Sequence, residues 1–473
     1  MRSAAELKLR QPHFASVLAL ALLSSVGLAI LSPAFDWAIP LNRRPIVIFT
    51  GGLLAASTCF ALLAHAIVLR PPTGRRRLGM MIAVGMAARL MLLLGPPILE
   101  DDGYRYLWDG ALVAHGLNPY AHPPSRFLMA PEVAALLADQ GLEPTPLPAG
   151  YETLARDGRA VLGRINNPHL TTIYPPLAQT GFALGHHIAP LDFFGWKLVV
   201  LGAEALTLVL LLGALKQLGK PLIWAAIYWL NPLVLKEFAN SAHMDALMLP
   251  ALAGAAWSIA AGCRWGTALA LAAASAVKLW PLLLIPPALG RGPRYAAIAI
   301  CAGLLLLLLL LPQLIALGPS AGLSGFAEGW ERNAFAFSLA EAALGTLAGD
   351  PGLLSRLIVA ALVTAAALHF WWRDPPGAEA RLGGLTSVTA LLLLLAPVGY
   401  PWYATWLLPF LAVRPDSRWF ILIAFAPAYY LRFHFQAQGQ SGLEAWLPPL
   451  LSFGPVWASI LWTEGRKRWP RRV

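Results

Sequence analysis

Apolar runs of spanning length recur along the chain, separated by short basic loops and two long polar stretches. Runs at 14–31, 46–69, 78–98, 194–216, 222–238 and 295–316 are each long enough, or nearly so, for a helix to cross a bilayer. A further run after the turn Asn240–Asp245 ends near Arg264, and runs at 353–372, 384–399, 401–413, 418–435 and 446–463 close the chain. Residues 266–290 need separate treatment. As a single span they would put Arg291, Arg294 and every later basic loop on the side opposite the basic cluster Arg70, Arg75, Arg76 and Arg77. Cytoplasmic loops carry the excess of Lys and Arg, so this segment is predicted to be a hairpin of two short helices turning at Lys278–Pro281. The predicted fold class is an all-α polytopic membrane protein with 13–14 membrane helices, one of them in a short re-entrant hairpin, forming one transmembrane domain over 1–473. The long polar stretches, 99–193 and 317–352, are predicted outer loops with amphipathic helices. The second contains the amphipathic piece Gly329–Phe337.

Composition sharpens this picture. Of 473 residues 58% are hydrophobic and 12% charged, against roughly 25% charged in soluble domains. The formal net charge of +11 would suggest nucleic acid in a soluble protein; here the positive-inside rule explains most of it. Cys59, Cys263 and Cys301 lie in or beside apolar runs and form no disulfide or metal framework. The first run follows Arg2, Lys8 and Arg10 and lacks a small-x-small cleavage site, so it is predicted to be an uncleaved span.

The densest polar and aromatic stretch follows the third run: Leu99-Glu-Asp-Asp-Gly-Tyr-Arg-Tyr-Leu-Trp-Asp-Gly110, extending to Pro124. Read as a helix over 101–116, it places Tyr104, Leu107, Trp108, Ala111, Leu112 and His115 on one face, with Arg105 and Asp109 on another. Asp101 and Asp102 sit at its start, where the helix dipole favours ionised carboxylates. Either could cap the helix, and either could take a proton from a hydroxyl group. Asn118-Pro-Tyr120 ends it with a turn. A second cluster, Ile165-Asn-Asn-Pro-His-Leu-Thr-Thr-Ile-Tyr-Pro-Pro176, offers Asn167, His169, Thr171 and Tyr174 as carbohydrate partners, and Tyr174-Pro-Pro reads as a helix start. Lys236, Lys278, Arg332, Arg432 and His434 fall at or near outer ends, where cations are under-represented; such a set suits a lipid phosphate. His243 and Asp245 join them as a His-x-Asp pair that is weak evidence for a metal. Arg89 and Glu204, near the middles of two spans, are predicted to pair. The sequence has no phosphate-cradling glycine motif, so any activated substrate is expected from the membrane.

Asp101-Asp102-x-Tyr104 through Asp109-Gly, then Gly116-Leu-Asn-Pro-Tyr120, resembles the first outer loop of bacterial GT-C glycosyltransferases, the polyprenyl-phosphate-sugar-dependent enzymes that include glycosyltransferase family 87. The catalytic subunit of GPI-anchor mannosyltransferase I is a distant likeness. Thr172-Ile-Tyr-Pro-Pro176, Asn231-Pro232, Asn240-x-x-His243-x-Asp245 and Val277-Lys278-x-x-Pro281 extend the resemblance over 100–281. It implies inverting transfer of one sugar, mannose as the family's best guess, from a polyprenyl-phosphate donor to a glycolipid or envelope-glycan acceptor on the periplasmic face of a bacterial inner membrane. It maps the base onto Asp102 or Asp101. The donor phosphate is then expected at Lys278, Arg432, Lys236 and His434. Tyr104, Arg105, Asp109, Asn118, Tyr120, His169, Tyr174, His243 and Asp245 are expected around the sugar or acceptor. No cofactor is required, though a divalent cation is compatible, and membrane lipids rather than nucleic acid are the partners. The rival class is a polytopic lipid or glycan transporter. The long outer loops and the lack of an inverted repeat count against it.

Overall fold

A computed structural model describes residues 12–129, 139–140, 150–316, 322, 330–345 and 349–468. Among these residues the chain is all helical but for one isolated bridge, Arg332 to Val398, as expected of an all-α polytopic membrane protein. The principal helices are α1 (Pro12–Leu31), α2 (Ile46–Leu69), α3 (Arg75–Leu90), α4 (Asp102–Ala114), α5 (Pro176–Ile188), α6 (Phe193–Gln217), α7 (Leu249–Ala260), α8 (Arg264–Val277), α9 (Pro293–Ile315), α10 (Pro351–Arg373), α11 (Ala378–Leu395) and α12 (Ser441–Arg468). Six helical stretches are long and apolar enough to cross a membrane: His13–Phe35, Ile46–Leu69, Phe193–Gln217, Pro293–Ile315, Pro351–Arg373 and Ala378–Leu395.

The expected spans are not uniform. The run at 78–98 stays helical only to Leu90, because Gly95-Pro96-Pro97 cannot continue a helix. The run at 222–238 breaks at Asn231-Pro232 and resumes as a π-helix, Leu235–Asn240. Runs 401–413 and 418–435 each change between 3-10 and α geometry, near Pro409 and Pro427. Such breaks are affordable only where neighbours satisfy the freed backbone groups. The hairpin turns as expected: α8 stops at Val277, Lys278 is extended, and Trp280–Leu284 and Ile285–Leu289 run back.

The described residues of 99–193 include helices that pack closely on one another. Helix α4 crosses α5 so closely that a Cβ on Gly110 would lie 2.4 Å from the carbonyl oxygen of Phe182. Tyr106, Phe182 and Trp196 interlock between α4, α5 and α6, with the first two stacked at 4.8 Å. Tyr174-Pro-Pro starts α5 with proline in the first turn. The face of α4 expected to be polar is covered as well. Arg105 and Asp109 are both buried. Arg105 donates to the Leu170 carbonyl at 2.5 Å, and Gln179 donates to both Asp109 and Thr172 at 3.1 Å. The second cluster therefore folds over α4 and turns its polar side into a buried brace. Gly329 of the second loop lies outside the described residues, and Trp330–Phe335 is irregular, with helix from Ala336.

Between α3 and α6, Arg89 Nε and Nη2 both reach Glu204 Oε1, at 3.0 and 2.6 Å, and the guanidinium lies over Trp229. This is the predicted pair, fully buried.

Candidate active site

The linker after α3 delivers the acidic residues. Asn240, on the π-helix, accepts from the Ile98 amide at 3.1 Å and donates to the Pro96 carbonyl at 3.2 Å. Lys197 Nζ, with no carboxylate partner, donates to the Leu92 and Gly95 carbonyls. Leu99, Asn167 and Ala242 all hold left-handed backbone conformations, with φ of 56°, 47° and 55°. Each precedes or follows a site residue by one position, and such strain, worth about 1–3 kcal/mol apiece, persists where surrounding structure imposes it.

Asp101 occupies the position preceding α4, but neither its side chain nor that of Asp102 caps the helix. Instead one amide group serves both. Asn166 Nδ2 donates to Asp101 Oδ1 at 2.7 Å and to Asp102 Oδ1 at 2.8 Å. Burial, then repulsion from Asp102, pushes the Asp101 carboxyl up to about 7, against the pull of Asn166. Burial also raises Asp102, opposed first by His243.

Beneath the pair lies a buried charge network. His243 stacks on Trp402 at 3.8 Å. Its Nδ1 is 4.0 Å from Asp102 Oδ2, and its Nε2 is 3.6 Å from Glu100 and 3.5 Å from Glu237. Burial disfavours the charged imidazole, but Glu100, Glu237 and Asp102 together raise its pKa. Glu100 is also buried, and Lys236 and His243 hold it below the usual carboxylate range. Lys236 Nζ lies 3.1 Å from both Glu100 and Glu237, and Tyr430 bonds to all three. Glu100, Glu237 and His243 could together hold a metal ion, with ligand atoms within 4.8 Å of one another. The Lys236 ammonium already supplies positive charge at the same carboxylate oxygens.

Two cavities meet at this pair. The first, of about 350 Å³, is walled mainly by apolar and aromatic side chains of the hairpin, α11 and the segment 396–406, together with Tyr174 and Arg105. Its charged floor is Lys278, which bonds Asp245 Oδ1 at 2.8 Å and lies 4.0 Å over the Tyr403 ring. Trp406 donates to the same Asp245 oxygen at 2.6 Å. The second cavity, of about 920 Å³, is polar and aromatic; it holds Glu100, Asp101, Tyr104, Arg164, Arg332 and Arg432. Asp102, Asn166, Asn167, Trp330, Tyr400 and Trp402 line both.

The structure thus brings together Asp101, Asp102, Tyr104, Arg105, Tyr174, His243, Asp245, Lys278 and Arg432. Lys236 is near but fully engaged in the buried network. Arg432 lies in the polar cavity, away from Lys278, and pairs with Glu444 at 2.9 Å. His434 lines neither cavity. Asn118, Tyr120, Asp109 and His169 stand outside both. Asn118 accepts from the Tyr120 amide in a turn, Tyr120 donates to the Tyr174 carbonyl, Asp109 belongs to the brace, and His169 is exposed. Sequence reasoning missed Asn166, Glu100, Glu237 and the aromatic wall. The dense run Tyr400-Pro-Trp-Tyr-Ala-Thr-Trp406 was a visible signal for that wall.

Comparison with known proteins fits this geometry. Residues 14–150 match the family model described as the N-terminal domain of alpha-(1->6)-mannopyranosyltransferase, and 351–462 match that of the MptB C-terminal domain. The chain belongs to a bacterial GT-C-type mannosyltransferase family. It is 24% identical over 388 residues to alpha-(1->6)-mannopyranosyltransferase A of Mycobacterium tuberculosis (strain ATCC 25618 / H37Rv), covering 75% of this chain and 69% of that relative. The protein is accordingly a multi-pass membrane glycosyltransferase of the mannosyl-transferring kind.

Proposed function

We propose that this enzyme transfers mannose from a polyprenyl-phosphate donor to a lipid-linked or envelope glycan, on the periplasmic face of the inner membrane. The carrying observation is that Asp102 lines both cavities, with Lys278 in the apolar one and Asp101 in the polar one. In this reading the donor's phosphate and first isoprene units enter the apolar cavity from the hairpin and α11, and the acceptor enters the polar cavity. Asp102, or Asp101 beside it, takes the proton from the acceptor hydroxyl. The acceptor oxygen bonds the anomeric carbon from the side opposite the phosphate, the carbon–phosphate oxygen bond breaks, and the anomeric centre inverts. Lys278 stabilises the leaving phosphate, whose second negative charge develops as the bond breaks. The Asp101 carboxyl, pushed up to about 7, is suited to this work at physiological pH. The relative's name supplies the linkage for this proposal: an α-(1→6) bond made with inversion requires a β-linked donor and a primary hydroxyl on the acceptor. The reading needs no cofactor. A divalent cation at Glu100, Glu237 and His243 would have to displace or share with Lys236.

The test is transfer from radiolabelled polyprenyl-phosphate-mannose by purified protein in nanodiscs. Asp102→Asn is expected to lower kcat by about 10³-fold or more while donor binding persists. An Asp102→Asn variant with full turnover would sink the assignment. Transport of donor into vesicles by that same variant, without transfer, would move the protein to the transporter class.

A further inference from the structure

The polar cavity is larger than one reacting sugar needs. Its 920 Å³ lies at the upper end of the range for ligand pockets, and it continues away from Asp101 and Asp102 to the segment between α1 and α2. Trp37, on that segment, is 49% exposed. It does not swing freely. Asp36 accepts from the Ala38 amide at 2.8 Å, and Arg44 donates to the Ile39 and Trp37 carbonyls at 2.9 and 3.4 Å. Phe35, two residues earlier, is buried against Phe49. The loop is therefore anchored on both sides of an exposed indole.

That indole faces the catalytic helix. Its ring centroid is 6.3 Å from Tyr104, which packs edge-on against Phe193 at 5.1 Å. Arg164 donates to the Tyr104 hydroxyl at 2.9 Å. The charges lining the cavity nearly balance: Asp36, Glu100, Asp101, Asp102 and Asp192 against Arg44, Arg164, Arg332 and Arg432. A balanced, aromatic, hydrogen-bonding cavity suits a neutral polyhydroxyl chain better than a polyanion. Tryptophan and tyrosine, apolar on the face and polar at the edge, fit such a ligand.

We infer that Trp37, Tyr104 and Arg164 form a second sugar-binding subsite, for a residue of the acceptor at least one unit removed from the reacting hydroxyl. The acceptor is then a neutral oligosaccharide, read along the cavity, and not a single sugar. This rests on the polar cavity being the acceptor side. A membrane-belt tryptophan would also be exposed, so the experiment must separate anchoring from recognition.

Methyl α-mannoside and an α-(1→6)-linked mannotrioside would be compared as acceptors, by transfer and by calorimetric binding without donor. Wild type is expected to prefer the trioside, through KM. Trp37→Ala should remove roughly 3- to 10-fold of that preference, the range that one ring's contacts are worth; Trp37→Phe should restore part. Trp265→Ala, at an exposed tryptophan on α8 lining neither cavity, should keep the preference. Equal use of both acceptors by wild type, or equal losses on both in Trp37→Ala with a lowered Tm, would overturn the subsite while leaving the transferase reading intact. Trp37-dependent binding of the trioside without any transfer would keep the subsite and sink that reading. Neither binding nor transfer by wild type would overturn both.

Discussion

The two cavities that share Asp102 are built from different materials. The apolar one is lined by two cations: Arg105, held by the Leu170 carbonyl and Asp109, and Lys278, boxed by Tyr403, Trp406 and Asp245. Its other walls come mainly from the hairpin, α11, 396–406 and the segment 166–175. The polar one carries nine charged side chains, and its aromatic rings alternate with them. A charge set among aromatic rings, as Lys278 is, keeps more of its strength, because less water competes for it. Many charges in a wet, open cavity screen one another. The first cavity is therefore suited to stabilising one developing charge, and the second to recognising shape and hydroxyl groups. Asp102, on the common wall, touches both environments.

Removing the Lys278 charge is the strongest way to break this contrast. Lys278→Met keeps the side-chain length and loses the charge. It is expected to lower kcat by roughly 10²–10³-fold, the usual loss when one preorganised electrostatic partner of a transition state is removed. Acceptor affinity, measured by calorimetry without donor, should stay within about twofold. A variant that loses acceptor affinity and keeps kcat would exchange the roles of the two cavities.

The wall itself is the next target. Asn166 lowers the Asp101 pKa by donating to both carboxylates. Asn166→Ala removes that donor, so the pKa, already about 7, rises further. The base works deprotonated, and the acidic limb of the rate profile should move to higher pH. The loss is about tenfold below pH 7 for each unit of displacement, shrinking toward alkaline pH. A simple structural role for Asn166 would lower the rate evenly across pH. An unmoved limb, with rates measured from pH 5.5 to 9, would show that the two carboxylates do not titrate as a bridged pair.

Much of this was legible in the chain. Spans, the Asp101–Asp102 position, the hairpin turn at Lys278, the proline start of α5 and the Arg89–Glu204 pair all follow from local patterns with a physical cause. What was hidden depends on distant residues. Asn166 looks like any loop asparagine until the fold brings it across 64 positions to Asp102. Glu100 and Glu237 read as ordinary charges at span ends until Lys236 and His243 close around them. Periodicity assigned Arg105 and Asp109 to an open face of α4, because the pattern of one helix cannot show that 165–175 folds over it. The run at 78–98 was apolar throughout, so hydropathy outvoted Gly95-Pro96-Pro97. Aromatic residues 402–406 were absorbed into a span for the same reason.

The finest probe separates the cavities without touching a charge. A Cβ at Gly103 would lie 2.3 Å from Phe193 Cε1, so Gly103→Ala must displace that ring. Phe193 lines the polar cavity alone and packs against Tyr104 there. The obstacle is a side chain and not backbone, so the cost in stability should be about 1–3 kcal/mol, readable as a lowered Tm. The kinetic effect should fall on one substrate only: acceptor KM raised about threefold, by the loss of roughly one weak ring contact, with donor KM unchanged. A donor-side effect of equal size would mean that the wall carrying Asp102 is too soft to keep the two cavities independent.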